Sequence, residues 1–377
     1  MDGVYFGIES FYFCFFFLLF LYIKGCQGLF AIGSQRKKYI LACFLLLFLM
    51  AALRGVTNGG DLKRYIPEFH ALASWSFEDI WKYGNHELGY MIYIKLLSMV
   101  SDSDRCFLVG TSFISLIGPF YLFYRYSKYP DISILLYYAM GYYTRTFNNV
   151  RQSIAISIIF LIIPFLIDRK LWKYLIGVII ATLFHNSAII MLFVYPLVKK
   201  PLESKKIFIY ACAGIVFVSS MGYFFLSYIV QNYLSRWDAE DFSEDAEGTG
   251  YVLFYFYAIV FLLFYAYYIL QKQRMNAEQL RMVSFFVVFQ MFAMIIQFSA
   301  PIFHSMVRMT LYFFIPIVTI GVPYVSSMME KENKRFFYSL IFSFAIFMMI
   351  QVYSRKPGYN TDGQGVIPYV FIDTPIF

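Results

Sequence analysis

The chain has 377 residues, of which 60% are hydrophobic and 14% are charged. Soluble domains carry about 25% charged residues, so a soluble globular protein is excluded. The formal net charge is +8, but no soluble module presents a basic face, which excludes a nucleic-acid-binding protein.

Long charge-poor runs recur along the chain, and several reach the roughly 20 residues that a helix needs to cross a bilayer. We therefore predict an all-α, polytopic integral membrane protein with about ten to twelve transmembrane helices, some of them re-entrant or broken. A single multi-span domain is expected to cover 1–377. The runs are Phe11–Ile23, Tyr39–Leu53, Cys106–Tyr124, Ser153–Ile167, Tyr174–Val198, Ile207–Val230, Tyr251–Leu270, Met282–Met306, Met309–Met329 and Phe336–Ser354.

The first apolar run is expected to be a permanent span over about 4–23. No Lys or Arg precedes it and no small-x-small cleavage site follows it, so it does not have the pattern of a cleaved signal. The next loop holds Lys24, Arg36, Lys37 and Lys38 without an acid. Because cytoplasmic loops collect Lys and Arg, this loop is predicted inside and the N-terminus outside.

Residues 54–86 are predicted to form a periplasmic loop. Its first part, Arg54–Asp61, holds three glycines and an asparagine in eight residues, a composition typical of a loop. Leu62–Tyr83 follows as an amphipathic stretch whose Trp and Tyr residues suit the membrane interface. Two later segments are also predicted to be periplasmic, the acidic loop 231–250 and the tail 354–377.

Polar residues interrupt the hydrophobic block Ile132–Val198 at Arg145 and again around Arg151 and Gln152. Even low estimates put an arginine at the centre of a membrane helix at roughly +3 kcal/mol, so such a residue points to a site in the protein interior or a water-filled cavity. The alternative is that Arg151 marks a helix end and reaches to the lipid headgroups.

Two topologies remain open for the stretch from Glu87 to Val198. If every apolar run crosses fully, Arg151 lies at the cytoplasmic end of its span. If the basic loops are all inside, Arg145–Arg151 lies outside, Glu87–Val100 does not cross fully, and Tyr174–Val198 is a re-entrant pair that bends near His185. We prefer the second topology because it gathers the polar residues on one side; such breaks are permitted where the backbone lines a cavity.

On this topology one outer-facing cavity collects a set of polar side chains. Converging arginines at a low-dielectric site suit a phosphate or diphosphate, because the guanidinium stays charged and its fork holds two oxygens. His304, Arg308 and Tyr312 are spaced four residues apart and share one helix face. The predicted set is Arg54, Asp61, Arg145, Arg151, Gln152, His185, His304 and Arg308.

Two of these residues could assist a reacting hydroxyl. Asp61 could act as general base or orient the hydroxyl; alternatively it pairs with Arg54 or Arg64 as a clamp within the loop. His185 could act in the same way, or it could be a neutral histidine hydrogen-bonded between helices.

Other chemistries have little support in the sequence. The five cysteines lack C-x-x-C spacing and the four histidines lack metal-ligand spacing, so we expect no metal and no cofactor. The chain also lacks a phosphate-binding GxxxxGK[ST] loop and a GxSxG nucleophile turn.

An ordered set of short motifs resembles the EpsG family of polytopic membrane proteins and the related Wzy-type O-antigen (oligosaccharide repeat-unit) polymerases. The set covers nearly the whole chain and departs from the family only at Leu88, where relatives often have Pro. The motifs are Arg54 with Gly59-Gly60-Asp61 and Tyr65, Glu87-Leu88-Gly89-Tyr90, Val150-Arg151-Gln152-Ser153-Ile154-Ala155, Phe184-His185-Asn186-Ser187-Ala188, Arg308 with Tyr312, and Pro368-Tyr369.

The resemblance implies a glycosyltransferase of the bacterial inner membrane that joins undecaprenyl-diphosphate-linked repeat units at the periplasmic face. Arg151, Arg308 and Arg54 would hold the leaving diphosphate, and Asp61 or His185 would assist the attacking hydroxyl. Glu87, Arg145, Gln152, His304 and Tyr312 are further candidates for substrate binding. Expected partners are the lipid-linked oligosaccharide, membrane lipid, a chain-length regulator and a flippase.

Two rival functions remain open. An O-antigen ligase would use the same donor, but a long periplasmic loop between late spans would favour it, and the loop here is only about twenty residues. A flippase or transporter would be expected to show repeated halves, and no internal repeat is visible.

Overall fold

The computed structural model describes residues 34–198, 200–221, 245–300 and 306–354, together with Val366 and Tyr369. Across these residues the fold consists of helices without a β-strand, which confirms the all-α, polytopic prediction. The chain divides into two compact units: Met1–Pro164, Trp172–Ile189 and Val318–Phe377 form the first, while Phe165–Leu171 and Ile190–Ile317 form the second.

The first unit contains most of the predicted site residues. Its helices are α1 (Ser34–Ala52), α2 (Leu62–Ala73), α3 (Phe77–Tyr83), α4 (Leu88–Val100), α5 (Asp104–Tyr126), α6 (Pro130–Ala139), α7 (Tyr142–Asn148), α8 (Val150–Ile167) and α9 (Leu171–Thr182). The end of α8, from Phe165, and the first residue of α9 fall in the second unit. A 3₁₀ helix follows at Asn186–Val194.

The second unit continues with α10 (Ser204–Met221), α11 (Asp245–Gln271), α12 (Ala277–Phe298) and α13 (Met306–Pro316). A π-helical turn at Ile317–Gly321 leads into α14 (Val322–Ser327) and then α15 (Lys331–Tyr353), which belong to the first unit. The acidic segment 231–250 and the tail 354–377 lie mostly outside the described residues.

Within the described residues, six helical segments are long and apolar enough to cross a membrane. They are Asp104–Tyr126, Val150–Ile167, Tyr251–Gln271, Ala277–Phe298, Met306–Ser327 and Lys331–Tyr353. Leu88–Val100 and Leu171–Thr182 are shorter apolar helices. The predicted first span, about 4–23, lies outside the part that the structure describes.

Arginines hold α1 and α5 together at both ends of this helix pair. Near the start of α1, Arg36 Nη2 donates to the carbonyls of Tyr124 and Ser127, at 3.0 and 2.6 Å, beside the end of α5. At the other end, Arg105 Nη1 in the first turn of α5 donates to the carbonyls of Ala52 and Arg54, at 2.7 and 2.9 Å. These bonds satisfy carbonyls that a helix end leaves without an intrahelical partner.

The chain breaks at both of the places where polar residues interrupt apolar sequence. Between α7 and α8, Asn149 leaves the helical conformation (φ −80°, ψ 56°). The second break separates α9, which ends at Thr182, from the 3₁₀ helix that begins at Asn186. His185 lies within this second break, so the prediction of broken segments is confirmed.

The amphipathic stretch predicted over Leu62–Tyr83 forms two helices, α2 and α3. In α2 the buried residues Leu62, Tyr65, Phe69 and Leu72 are spaced three and four apart, so one face packs inward. This face joins a core cluster with residues of α4, α5 and α8. Because α2 is anchored in this way, its polar residues are held at fixed positions above the core.

Close helix packing at Gly118 of α5 provides a test of the fold. A Cβ built on Gly118 would lie 2.1 Å from the Ser157 carbonyl oxygen of α8, whereas one on Gly110 would meet only the flexible end of Leu97, at 2.6 Å. Gly118→Ala should therefore destabilise the protein by about 1–3 kcal/mol through overpacking. Gly110→Ala, on the same helix, should be neutral or stabilising because alanine favours helix. Thermal unfolding in detergent would test this, and an equal effect of both substitutions would contradict the packing.

Candidate functional site

The Glu87 carboxylate connects three segments that are distant in sequence. It lies at the residue before α4 and is only 8% exposed; its Oε2 accepts a hydrogen bond from Arg151 Nη1 at 2.6 Å. Its Oε1 lies 3.2 Å from His185 Nδ1 and accepts from the backbone N–H of Asn186 at 3.3 Å. Glu87 therefore joins the start of α4, the start of α8 and the break after α9. We call Glu87, Arg151 and His185 the Glu87 cluster.

The ionised form of Glu87 is strongly favoured. Burial opposes ionisation, but the contact with His185 and the positive charge of Arg151 outweigh it and lower the pKa of the Glu87 carboxyl from its ordinary 4.5 to about 2. Glu87 lies outside the six candidate spans. The cluster thus contains a permanently negative carboxylate at neutral pH.

Gly89 allows α4 to approach the break after α9. A Cβ on this residue would lie 2.8 Å from Leu183 Cβ and 2.9 Å from the Leu183 carbonyl oxygen. The next residue, Tyr90, donates its backbone N–H to that carbonyl at 3.2 Å. The Glu-Leu-Gly-Tyr motif therefore supplies a carboxylate, a close contact and a backbone bond, which together place Glu87 beside His185.

Arg151 retains hydrogen-bonding capacity after it pairs with Glu87. Its side chain is 19% exposed, and the Tyr65 hydroxyl lies within hydrogen-bonding reach of its guanidinium. The buried Nε has no hydrogen-bond partner among the described residues. Since a guanidinium carries five N–H donors in a fixed fork, Arg151 can hold Glu87 and still offer a donor to a bound group.

The glycine loop before α2 packs against the break between α7 and α8. Gly59 has φ +130°, and a Cβ there would lie 2.7 Å from the Phe147 carbonyl oxygen, so the conformation and the contact both require glycine. The backbone N–H of Asp61 lies 3.5 Å from Asn148 Oδ1. This contact places Asp61 near the break between α7 and α8, and Arg151 lies in the first turn of α8.

The Asp61 carboxylate does not form a clamp with Arg54 or Arg64, the alternative that the sequence left open. Arg64 lies 4.0 Å from Glu68 instead, and Arg54 donates to the Ala51 carbonyl and to Ser112 Oγ. In the part of the chain that the structure describes, the Asp61 side chain makes no hydrogen bond or ion pair. Asp61 therefore remains a candidate for contact with a substrate.

Arg54 is buried beneath this loop, at only 1% exposure. It donates to Ser112 Oγ at 3.0 Å and lies 4.4 Å from the centre of the Phe147 ring. These contacts stabilise the loop and α7 from below. The structure places Arg54 in a supporting position. Its guanidinium is not exposed, so the predicted contact with a diphosphate stays a prediction.

The two described tail residues lie on the same loop region. Asn58 Nδ2 donates to the Val366 carbonyl at 2.9 Å, and the Tyr369 hydroxyl donates to the Met50 carbonyl. Val366 therefore contacts the glycine loop, and Tyr369 contacts the end of α1.

The remaining predicted residues lie in different places. Arg145 lies on α7, partly buried, and Gln152 is 3% exposed next to Arg151. Arg308 is exposed in the first turn of α13, and Tyr312, one turn later, is fully buried, both in the second unit. His304 lies outside the described residues, so a cavity that also includes His304, Arg308 and Tyr312 stays a prediction.

Sequence analysis missed a second carboxylate–imidazole pair. His86 Nε2 lies 3.0 and 3.1 Å from the two carboxylate oxygens of Glu68 on α2. The helical spacing could have indicated Glu68 as a site residue, because Tyr65 and Glu68 follow Asp61 by four and seven residues and so share its helix face. Among the described residues, no group of three or more His, Cys, Asp and Glu side chains could hold a metal ion.

Comparison with known proteins identifies the family. A model of the EpsG family matches residues 37–371. The chain belongs to the EpsG family. No curated protein and no solved structure matches it. EpsG membership makes this chain a membrane protein related to polysaccharide biosynthesis, and the matched range includes the whole Glu87 cluster.

The low pKa of Glu87 gives a testable pH dependence of stability. At pH 7, Glu87→Gln should lower the free energy of unfolding by about 2 kcal/mol, the usual scale for losing a charged hydrogen bond. Because the folded-state pKa is depressed, this contribution is complete above the unfolded value of 4.5 and is lost as the pH falls through about 2. The difference in thermal midpoint between wild type and variant, measured in detergent, should not decrease between pH 8 and pH 5.

The same difference should shrink below pH 4.5. Glu78→Gln, which removes an exposed carboxylate that pairs with Lys82 on α3, is the matched control and should change the midpoint little at any pH. A Glu87 effect that already disappears between pH 8 and pH 5 would contradict the assigned electrostatics.

Proposed function

We propose that this EpsG-family protein is a polysaccharide polymerase. It would transfer a growing glycan from its polyprenyl diphosphate to the terminal hydroxyl of another lipid-linked repeat unit. The observation that supports this most directly is the Glu87 cluster, in which one buried carboxylate holds both an arginine with a spare donor and a histidine. An arginine for the leaving diphosphate and an oriented base for the hydroxyl are the two groups this reaction needs.

In the proposed reaction His185 is the general base. Its Nδ1 lies 3.2 Å from Glu87 Oε1. A proton on Nδ1 would let the imidazole donate to this carboxylate and would leave the lone pair on Nε2 for the acceptor hydroxyl. A carboxylate that orients the base in this way recurs in catalytic triads. The acceptor hydroxyl gives its proton to Nε2 as its oxygen bonds to the anomeric carbon of the donor sugar.

Arg151 takes the opposite role at the leaving group. As the bond between the anomeric carbon and the phosphate oxygen breaks, negative charge develops on the diphosphate. Donors of Arg151 that remain after pairing with Glu87, together with backbone N–H groups at the start of α8, stabilise this charge. The products are the extended glycan and the free lipid diphosphate, and the proton on His185 then passes to solvent.

Asp61 is the second candidate for the base. Its carboxylate has no partner in the described residues, which supports contact with substrate, but nothing orients it as Glu87 orients His185. We therefore assign the base to His185 and a supporting contact with the acceptor to Asp61.

The distribution of charge supports an extracytoplasmic location of the Glu87 cluster. In the first unit, α5 starts beside the cluster's end of the bundle, where Asp104 contacts His70 of α2 at 2.7 Å. It ends about 30 Å away near Arg125, Arg36 and Lys128. Because basic residues collect on the cytoplasmic side, the end with the cluster would face outward in the bacterial inner membrane.

The length profile of surface glycans tests this function. In a lipopolysaccharide-producing host, deletion of the gene should leave lipid A-core with a single repeat, because single units are still flipped and ligated. Arg151→Ala and Arg151→Lys should both give the same profile, since lysine keeps the charge and loses the fork. Arg125→Lys, which changes an exposed arginine at the far end of α5, should keep long chains.

Other outcomes would identify other functions. Bare core with polymer left on the lipid carrier would indicate a ligase, and single units stranded on the cytoplasmic side would indicate a flippase. Either result would contradict the proposal. In a host without lipopolysaccharide, loss of long capsule or exopolysaccharide is the equivalent result.

A further inference from the structure

A second polar group lies directly beside the Glu87 cluster. Glu68 of α2 and His86 form a carboxylate–imidazole pair in which the ring nitrogen is 3.0 and 3.1 Å from the two oxygens. Their side chains are 23% and 14% exposed, so the pair is accessible from outside. His86 and Glu87 are consecutive residues, and the pair is therefore a neighbour of the proposed reaction site.

Tyr90 adds an unsatisfied hydroxyl to this group. The residue is 0% exposed, and its ring contacts those of Tyr65 and His86 at 6.0 and 6.2 Å between centroids. Its charged neighbours are Glu68, Arg151 and Arg64. Its hydroxyl is buried and has no hydrogen-bond partner among the described residues. Leaving such a group unpaired costs about 1–3 kcal/mol, which a bound polar group would recover.

Stability does not explain why these residues are kept together. A partly exposed carboxylate–imidazole contact contributes about 0–1 kcal/mol, and a phenylalanine at position 90 would fill the same space without the unsatisfied hydroxyl. A ligand does explain them. A carboxylate, an imidazole and a phenol offer donors and acceptors to hydroxyl groups.

The sequence immediately before His86 suits a sugar ring. Trp81 and Tyr83 are 74% and 68% exposed, and large aromatic faces of this kind can stack on the apolar face of a pyranose. Gly84 caps the end of α3, between these residues and His86. A Cβ there would lie 2.4 Å from the Ile80 carbonyl oxygen, so the position requires glycine. The surface thus combines aromatic faces with hydroxyl-binding groups.

We propose that Glu68, His86 and Tyr90 form a glycan subsite that binds the terminal sugar of the acceptor repeat unit. This inference rests on the proposed polymerase function. The diphosphate of the donor would contact Arg151, while the uncharged acceptor sugar would contact Glu68, His86 and the Tyr90 hydroxyl. Because the donor diphosphate and the acceptor sugar would bind to different side chains of the same region, the acceptor hydroxyl would lie beside His185.

Binding of the free oligosaccharide tests the subsite. The probe is the host's own repeat-unit oligosaccharide, released from its lipid diphosphate by mild acid, and binding to the purified protein in nanodiscs is followed by saturation-transfer NMR. Glu68→Gln and Tyr90→Phe should each weaken binding roughly tenfold, the scale for losing one hydrogen bond to a charged group or leaving a partner unsatisfied. Both should keep the wild-type affinity for inorganic pyrophosphate.

The matched control is Asp104→Asn, which breaks the carboxylate–imidazole contact between Asp104 of α5 and His70 of α2 and should leave oligosaccharide binding within about twofold. Thermal midpoints identify any variant that fails to fold, and Tyr90→Phe, which removes one oxygen atom, provides the test if Glu68→Gln is unstable.

Unchanged oligosaccharide binding in Tyr90→Phe and Glu68→Gln would overturn the subsite and leave the polymerase proposal standing. Wild-type protein that binds no oligosaccharide would overturn the subsite as well, whereas a bare-core glycan profile would overturn the function itself.

Discussion

The contact of Glu87 with Arg151 and His185 is the constraint on which the rest of the first unit depends. In a chain this poor in charge, an arginine and a carboxylate are costly unless each finds the other. The two residues are 64 positions apart in sequence, so the pair forms only if the starts of α4 and α8 lie next to each other. The break at His185 and the close approach at Gly89 bring the third segment to the same carboxylate. The interrupted helices are thus a consequence of assembling this site.

Four arginines that are buried or partly buried in the first unit divide into two kinds. Arg36, Arg54 and Arg105 donate to backbone carbonyls at helix ends, where they satisfy groups that would otherwise be unpaired. Arg151 instead pairs with a buried carboxylate, and 19% of its side chain is exposed. The first kind stabilises the bundle, and the second is available for chemistry. This difference is why the site is assigned to Arg151 and not to the more deeply buried Arg54.

Sequence reasoning predicted the elements well and the partners of the side chains poorly. The helices and both breaks follow from apolar runs interrupted by polar residues, a local property that can be read from neighbouring positions. Arg151 and His185 were recognised because polar residues in apolar surroundings are costly. The role of Glu87 as their common partner depends on pairings across 64 and 98 positions, which no local pattern specifies. For the same reason the Glu68–His86 pair was missed, and the alternative of a clamp between Asp61 and Arg54 or Arg64, which the structure does not form, stayed open.

A double-mutant cycle on Glu87 and Arg151 tests the central claim most directly. Free energies of unfolding would be measured in mixed micelles for wild type, Glu87→Gln, Arg151→Gln and the double variant, with Glu78→Gln and Lys82→Gln as the exposed control pair. If Glu87 and Arg151 hold the site together, each single substitution leaves the other group unpaired, and the cycle should give a coupling energy of about 1–3 kcal/mol, while the control pair gives less than about 0.5 kcal/mol. Additive effects at Glu87 and Arg151 would contradict the account, because they would mean that the two side chains do not depend on each other.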